Sequence, residues 1–152
     1  ILYSIDSIVF RRIYMRDGSL SLSLLLSLSL SVMIFMVKLY AYNYGKGTVL
    51  FKPTKAKDKP FRSSKEGALS YFVGHNKKFS EDKGFALAPW KKIVFHNDEI
   101  YLHGDMAIAM GEYFFTDTKG TTTKVEYTFG YIKDKKGELK IVLHHSSLPF
   151  SG

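Results

Sequence analysis

The chain has 152 residues, 45% hydrophobic and 24% charged, with 22 basic against 14 acidic side chains and no cysteine. That length suits one domain, and the apolar fraction excludes wholesale disorder. The missing thiol excludes disulfides, thiolate zinc sites and cysteine nucleophiles, while the net charge of +8 raises a nucleic-acid or membrane surface as a partner.

The start of the chain has a texture of its own. Residues 18–37 carry no charge, and Ser19 to Ser31 is almost pure Ser and Leu. About twenty uncharged residues can span a bilayer as a helix. With Met15-Arg16 as a charged flank, the same stretch fits the hydrophobic region of a signal or transit peptide. Its low complexity also fits a non-native start. Residues 1–37 therefore read as a targeting segment, an anchor or a foreign start, with a domain over 38–152. A membrane is a partner only if residues 18–37 are a retained anchor.

Residues 38–152 hold 19 basic and 12 acidic groups in short stretches, with no run of five Lys or Arg. That is the pattern of a solvated exterior, so nucleic acid is not an expected partner. Thr48–Thr54 reads as a short strand ended by proline. Ser63 with Glu66 three residues on forms a capping box, opening a helix that buries Ala68, Leu69, Phe72 and Val73 and stops at Gly74. From Pro89-Trp90 onward the pattern is β-rich: Lys91–Asn97, Glu99–Gly104, Met106–Thr116, Thr123–Lys133 and Glu138–Ser147. Asp117-Thr118-Lys119-Gly120 and Asp134-Lys135-Lys136-Gly137 are the hairpin turns. Consecutive hairpins of such long strands make a strongly curved antiparallel sheet.

Alternation sets the covered face. In residues 124–131 the odd positions are Val125, Tyr127, Phe129 and Tyr131, against Lys124 and Glu126. In residues 140–147 the odd positions are Ile141, Leu143, His145 and Ser147, and the even set starts with Lys140. Ala107, Ala109 and Gly111 form a row of small residues ahead of Tyr113 and Phe115, leaving room for a cavity. The expectation is that His145 and Ser147 stand at the end of an aromatic-lined pocket. A histidine at a strand end is more often structural than catalytic, so the bland reading stands beside this one. His144 and His145 point to opposite faces and cannot share one metal. There is no His-x-His, His-Glu-x-x-His, EF-hand-type loop, glycine-rich phosphate loop or Gly-x-Ser-x-Gly elbow.

The order of local motifs is more telling. Phe51-Lys52-Pro53-Thr54-Lys55-Ala56, Ala68-Leu69-Ser70-Tyr71-Phe72, Glu81-Asp82-Lys83-Gly84-Phe85-Ala86, Pro89-Trp90, Ala109-Met110-Gly111, residues 124–131 and Leu143-His144-His145-Ser146-Ser147-Leu148-Pro149 follow one another along roughly residues 39–150. In that order they resemble the iota-class carbonic anhydrases. More broadly, one helix and a long curved sheet ending in His-His-Ser-Ser-Leu-Pro resemble the nuclear transport factor 2-like (cystatin-like) cone of the polyketide-cyclase-like (SnoaL-like) proteins and the calcium/calmodulin-dependent kinase II association domain.

The resemblance implies an α+β cone, its antiparallel sheet wrapped on helices. It implies a lyase (carbonate dehydratase) interconverting carbon dioxide and bicarbonate, found in algae and bacteria, and a homodimer through the outer sheet face. Delivery to a chloroplast is the matching expectation for the leader, with a periplasmic or secreted protein as the alternative. The family's pocket residues carry over to Thr54, Tyr71, His145 and Ser147, all catalytic, with the three hydroxyls also binding substrate. Those hydroxyls would orient water and hold bicarbonate, and His145 would hold or shuttle the proton. The cofactor expectation is none and no metal ligand is assigned, the spacing showing no ligand set; manganese or zinc stays open. Family members begin with an amphipathic helix packed into the cone, a pattern residues 1–36 do not show. Either that helix is missing or the Leu-rich segment replaces it. Two rival functions remain: a non-catalytic oligomerisation module, and a binder of a larger hydrophobic molecule. A cyclase would need a pocket carboxylate, and Glu112 and Glu126 fall on the other face.

Overall fold

A computed structural model describes residues 22–88 and 90–152. The expectations for Met15-Arg16 and for the beginning of the Ser/Leu stretch lie outside the described residues. The elements in chain order are helix α1 (Leu22–Leu39), strand β1 (Leu50–Lys52), helix α2 (Lys65–Val73), and strands β2 (Trp90–His103), β3 (Met106–Asp117), β4 (Thr122–Lys133) and β5 (Leu139–Ser147). Short 3-10 turns follow α1 and separate α2 from β2.

The sheet runs β1-β5-β4-β3-β2. β2 to β5 pair antiparallel as successive hairpins, while β1 joins β5 in parallel, so the sheet is mixed rather than wholly antiparallel. The two segments expected at 91–97 and 99–104 are one strand, β2, with an irregularity at Asp98. An extra residue of this kind bends a strand without ending it, which lets a 14-residue strand follow a curved sheet.

From Leu22 onward the Leu-rich segment is helical, and its C-terminal part packs into the core. Val32 and Met36 of α1 are 2% exposed and lie in the same core cluster as Ala107, Ala109, Phe129 and Ile141. The helix runs unbroken through position 37, the boundary drawn from the sequence. Its other side leaves Leu30, Met33 and Ile34 exposed, which explains why no amphipathic pattern was visible: apolar residues stand on both faces. Among the described residues, no helix is long and apolar enough to cross a membrane.

In α2 the N-cap is Ser64, whose side chain accepts from Gly67 N–H at 3.1 Å, one residue later than expected. Glu66 turns outward to Lys78 and Asn76 instead of closing a capping box. Gly74 does end the helix, at φ 70°, a conformation that favours glycine. The buried positions are Gly67, Ala68, Ser70 and Tyr71, with Phe72 and Val73 packed against the core edge.

Candidate active site

The cone holds a partly open cavity of about 100 Å³. Its walls are mostly aromatic, including Phe85, Phe95, Phe115 and Phe129, and its polar groups are Tyr40, Thr54, Tyr71, Tyr113, His144 and Ser146. Ala107 and Ala109 do not line it. They are buried in the core, and the free space lies farther along β3, beside Tyr113 and Phe115.

Thr54 and Tyr71 thus face the same cavity. His145 and Ser147 do not: they line an open groove on the outer face of the sheet, with His96, Glu112 and Glu126. His145 is exposed, whereas His144 is 9% and Ser146 2% exposed. The register explains this correction. Tyr131 pairs with Ile141, but Gly130 pairs with Leu143, so Val142 is an extra residue opposite that step. A bulge shifts the alternation by one, and every side chain beyond it changes face. Ile141 therefore points inward from an odd position, and His144 and Ser146 follow from even ones. Gly130 makes room for the step, since a Cβ there would come 2.9 Å from Leu143 Cβ. A glycine inside a strand is the sequence signal for such a bulge. Besides His144 and Ser146, two further residues escaped the sequence reading as site members. Tyr113 stood on the inward row of β3 among phenylalanines, and Tyr40 follows directly on the Ser/Leu segment.

The inner groups form one connected run. Tyr40 Oη is 2.7 Å from His144 Nδ1. His144 Nε2 is 2.8 Å from Ser146 Oγ and 3.4 Å from Tyr113 Oη. Tyr113 in turn is hydrogen-bonded to Ser146 and to Thr54. The imidazole faces are apolar contacts: Phe51 and Phe129 stack on the ring at 4.8 and 4.3 Å between centroids. Only the two ring nitrogens meet polar groups, so the ring is held by sandwiching and aimed by hydrogen bonds.

Burial decides the protonation states. Desolvation, helped by the neighbouring His145, pushes His144 down to about 3, so the ring is neutral near neutrality. Desolvation also raises Tyr40, Tyr71 and Tyr113, although Ser146 and Thr54 oppose it at Tyr113 and the Lys55 backbone opposes it at Tyr71. All three phenols keep their protons. The cavity is lined by neutral donors and acceptors, and no carboxylate is among its lining residues.

Two features hold the run in place. The parallel ladder between β1 and β5 ends at Lys52–His145, and the next residue, Pro53, has no N–H to offer. Lys52 Nζ donates instead to Ser146 O at 3.1 Å. The second feature ties the loop carrying Thr54 to helix α2. Arg62, with no exposed side-chain surface, donates to both Asp82 oxygens at 2.6 and 2.9 Å, to Glu81 at 3.0 Å and to the carbonyls of Lys59 and Gly67. Ser70 Oγ donates to Asp82 at 2.5 Å. Glu81 is held well below the usual carboxylate range by the N–H groups of Lys57, Lys59 and Asp58 and by Arg62. Ser70 faces this cluster while its neighbour Tyr71 faces the cavity. Among the described residues, no group of three or more His, Asp or Glu could hold a metal ion.

Comparison with known proteins shows the family. A family model described as metal-independent carbonic anhydrase matches residues 35–148. A metal-independent carbonic anhydrase from Nostoc sp. is 49% identical over 105 residues, 68% of this chain. The match takes in 51% of that protein, so the chain spans about half the length of this curated relative. Among solved structures, a cyanobacterial iota-carbonic anhydrase complexed with bicarbonate superimposes with a TM-score of 0.80 at 42% identity, covering 85% of this chain and 78% of that one. A Xanthomonas campestris chain assigned to the calcium/calmodulin-dependent protein kinase II association domains gives 0.55 at 23% identity over 91% of this chain and 94% of its own, a likeness of fold alone.

Proposed function

This chain belongs to the metal-independent carbonic anhydrase family, and on that premise we propose that its cavity hydrates carbon dioxide to bicarbonate and catalyses the reverse reaction. One observation carries the reading: a run of neutral hydroxyls and one neutral imidazole opens onto a small apolar chamber.

The chamber's size supports it. About 100 Å³ suits a solute of a few heavy atoms, whereas pockets for drug-sized ligands run to roughly 300–1,000 Å³. A polyketide-like substrate would not fit, and a cyclase's carboxylate base is missing from the lining.

The chemistry follows from the groups present. Carbon dioxide is linear and uncharged, and the phenylalanine wall takes it up while excluding bulk water. The Thr54, Tyr113 and Ser146 hydroxyls can each accept from water and donate onward. Tyr71 accepts from the Lys55 N–H, which leaves its own O–H to meet the oxygen that gains charge. As the water oxygen bonds to carbon, one C=O electron pair moves onto oxygen. The hydroxyl run takes the water proton at one group and returns a proton to that oxygen from another. Carbonic acid forms and ionises to bicarbonate on release. The benefit lies in holding water, relay and substrate in one geometry. His144, held neutral, is a poor base. The proton-holding role expected of the pocket histidine passes to the hydroxyls, with the ring as their donor.

The test is stopped-flow hydration with a pH indicator on the full chain, after exhaustive chelation. Retained activity is expected. Activity lost with chelation and restored by manganese or zinc overturns the metal-free reading, and no hydration at all favours an assembly module.

Pairing of two copies through the outer sheet face is part of the same proposal. Its support is the exposed row Tyr101, Met106, Ile108 and Met110. A single-copy mass by light scattering at micromolar concentration would remove it. Delivery to a chloroplast rests on the Ser/Leu-rich start. Because the core buries Val32 and Met36, such a leader would have to end before them. Import of a fluorescent protein fused behind the leader would test it.

A further inference from the structure

Tyr40 stands outside the four residues carried over from the family, yet it is the group that meets the far nitrogen of the pocket imidazole. It sits where α1 ends, bridged in parallel to Ile141 of β5, so the helix delivers it to His144. Its ring packs on Tyr42, Phe51 and Phe72, which fixes where its hydroxyl goes. Among the described residues that hydroxyl, 4% exposed as a residue, has one hydrogen-bond partner, His144 Nδ1 at 2.7 Å.

A neutral imidazole has one N–H and one lone pair, and the two arrangements leave different debts. If Nδ1 carries the proton and donates to Tyr40, the phenol O–H is buried with no acceptor. If Tyr40 donates to a bare Nδ1, only phenol lone pairs go unused. An unmade donor is the costlier of the two. We propose that Tyr40 is a positioning residue that donates to His144 Nδ1 and locks the ring as the Nε2–H tautomer, so that His144 donates to Ser146 and Tyr113. The run then has a direction. Nε2–H points at Ser146 Oγ, 2.8 Å away, and the hydroxyl protons of Ser146 and Tyr113 are turned onward toward Thr54 and the cavity. Ser146 and Tyr113 become better donors because each accepts a hydrogen bond behind it. Burial keeps the ring neutral, so the tautomer is the one variable left for Tyr40 to set.

This inference rests on the carbonic anhydrase reading for its effect on rate, but the tautomer does not. The experiment is nitrogen-15 NMR of histidine-labelled full chain at pH 7, with His144 assigned by comparison with His144→Gln. The expected signature is a protonated Nε2 and a bare, hydrogen-bonded Nδ1. In Tyr40→Phe, which keeps the ring packing, the Nδ1 signal should move to that of a free lone pair. Hydration by that variant should fall ~10-fold or more in kcat, as when partners that orient a ligand histidine are removed, with KM little changed. A protonated Nδ1 in the wild type overturns the proposal, as does a Tyr40→Phe variant whose His144 signals and kcat are both unchanged. If the wild type shows the Nε2–H tautomer and no hydration, the tautomer lock stands and the catalytic reading falls.

Discussion

Two pairs of the same residue types lie one position apart on strand β5. His144 and Ser146 are buried, hydrogen-bonded to each other and to two tyrosines, and open onto a neutral cavity. His145 and Ser147 line an open outer groove beside Glu112 and Glu126. Nothing in the chemistry of a histidine or a serine separates the pairs. Burial does, through hydrogen bonds that are worth more in a dry site and a ring that cannot take up charge there. The contrast places function in the face a residue occupies rather than in the motif that contains it.

The most drastic way to break this contrast is Gly130→Val, whose Cβ would come 2.9 Å from Leu143 Cβ in the present register. If the ladder then closed without the bulge, Val142 would pair with position 130, and His145 with Ser147 would exchange places with the inner pair. Loss of hydration, with loss of the cooperative unfolding transition, is the expected result by stopped flow and denaturant titration. A folded, fully active Gly130→Val variant would break the comparison.

Next in size, His144→Ala should lower hydration by ~10²-fold or more, the range for loss of a preorganised hydrogen-bond donor. Under the same assay His145→Ala should stay within about twofold of wild type. Ser146→Ala and Ser147→Ala should divide in the same way, since removing one preorganised donor costs ~10²–10³ in other enzymes. Equal losses at His144 and His145, or at Ser146 and Ser147, would show that the outer groove takes part.

Acid should distinguish the pairs by stability. The folded-state value for His144 is depressed to about 3, below its ordinary 6.5, so between these values the unfolded chain binds the proton and the folded chain does not. Stability is then unaffected by this group above pH ~6.5 and falls as pH drops toward ~3, by at most ~1.4 kcal/mol per unit. Urea denaturation of the wild type and of His144→Gln from pH 7 to 4 checks the sign: the variant's stability should fall less steeply. Parallel curves would mean the ring is not buried neutral.

The smallest effect is reagent access. Diethyl pyrocarbonate, followed by peptide mapping, should modify exposed His145 quickly and leave His144 protected until the chain unfolds. Early modification of His144 would sharpen the picture toward an opening cone.

Much of this molecule was legible in the chain. Long alternating strands on either side of Asp-x-x-Gly turns define the β3–β4 and β4–β5 hairpins, since alternation and turn chemistry are local. Thr54 and Tyr71 stood in motifs whose order pointed to this family. The inward half of His-His-Ser-Ser was not legible from alternation. With each residue type doubled, both phases read alike, and only the one-residue step at Gly130–Leu143 separates them. Helix α1 stood in the sequence only as one of two alternatives, because apolar residues on both faces show no periodicity, although the core covers only one face.

By itself the sequence determined the places of β3, β4 and β5, the two Asp-x-x-Gly turns between them, the absence of thiol chemistry and the family. These depend on neighbours in the chain and on residue type. Tertiary structure alone decided which histidine is buried, that Tyr40 meets its Nδ1 across 104 positions of chain, and that Lys52 replaces the donor Pro53 lacks at Ser146. Those outcomes depend on where a curved sheet brings distant atoms together, and a single extra residue in one strand was enough to reverse the first of them.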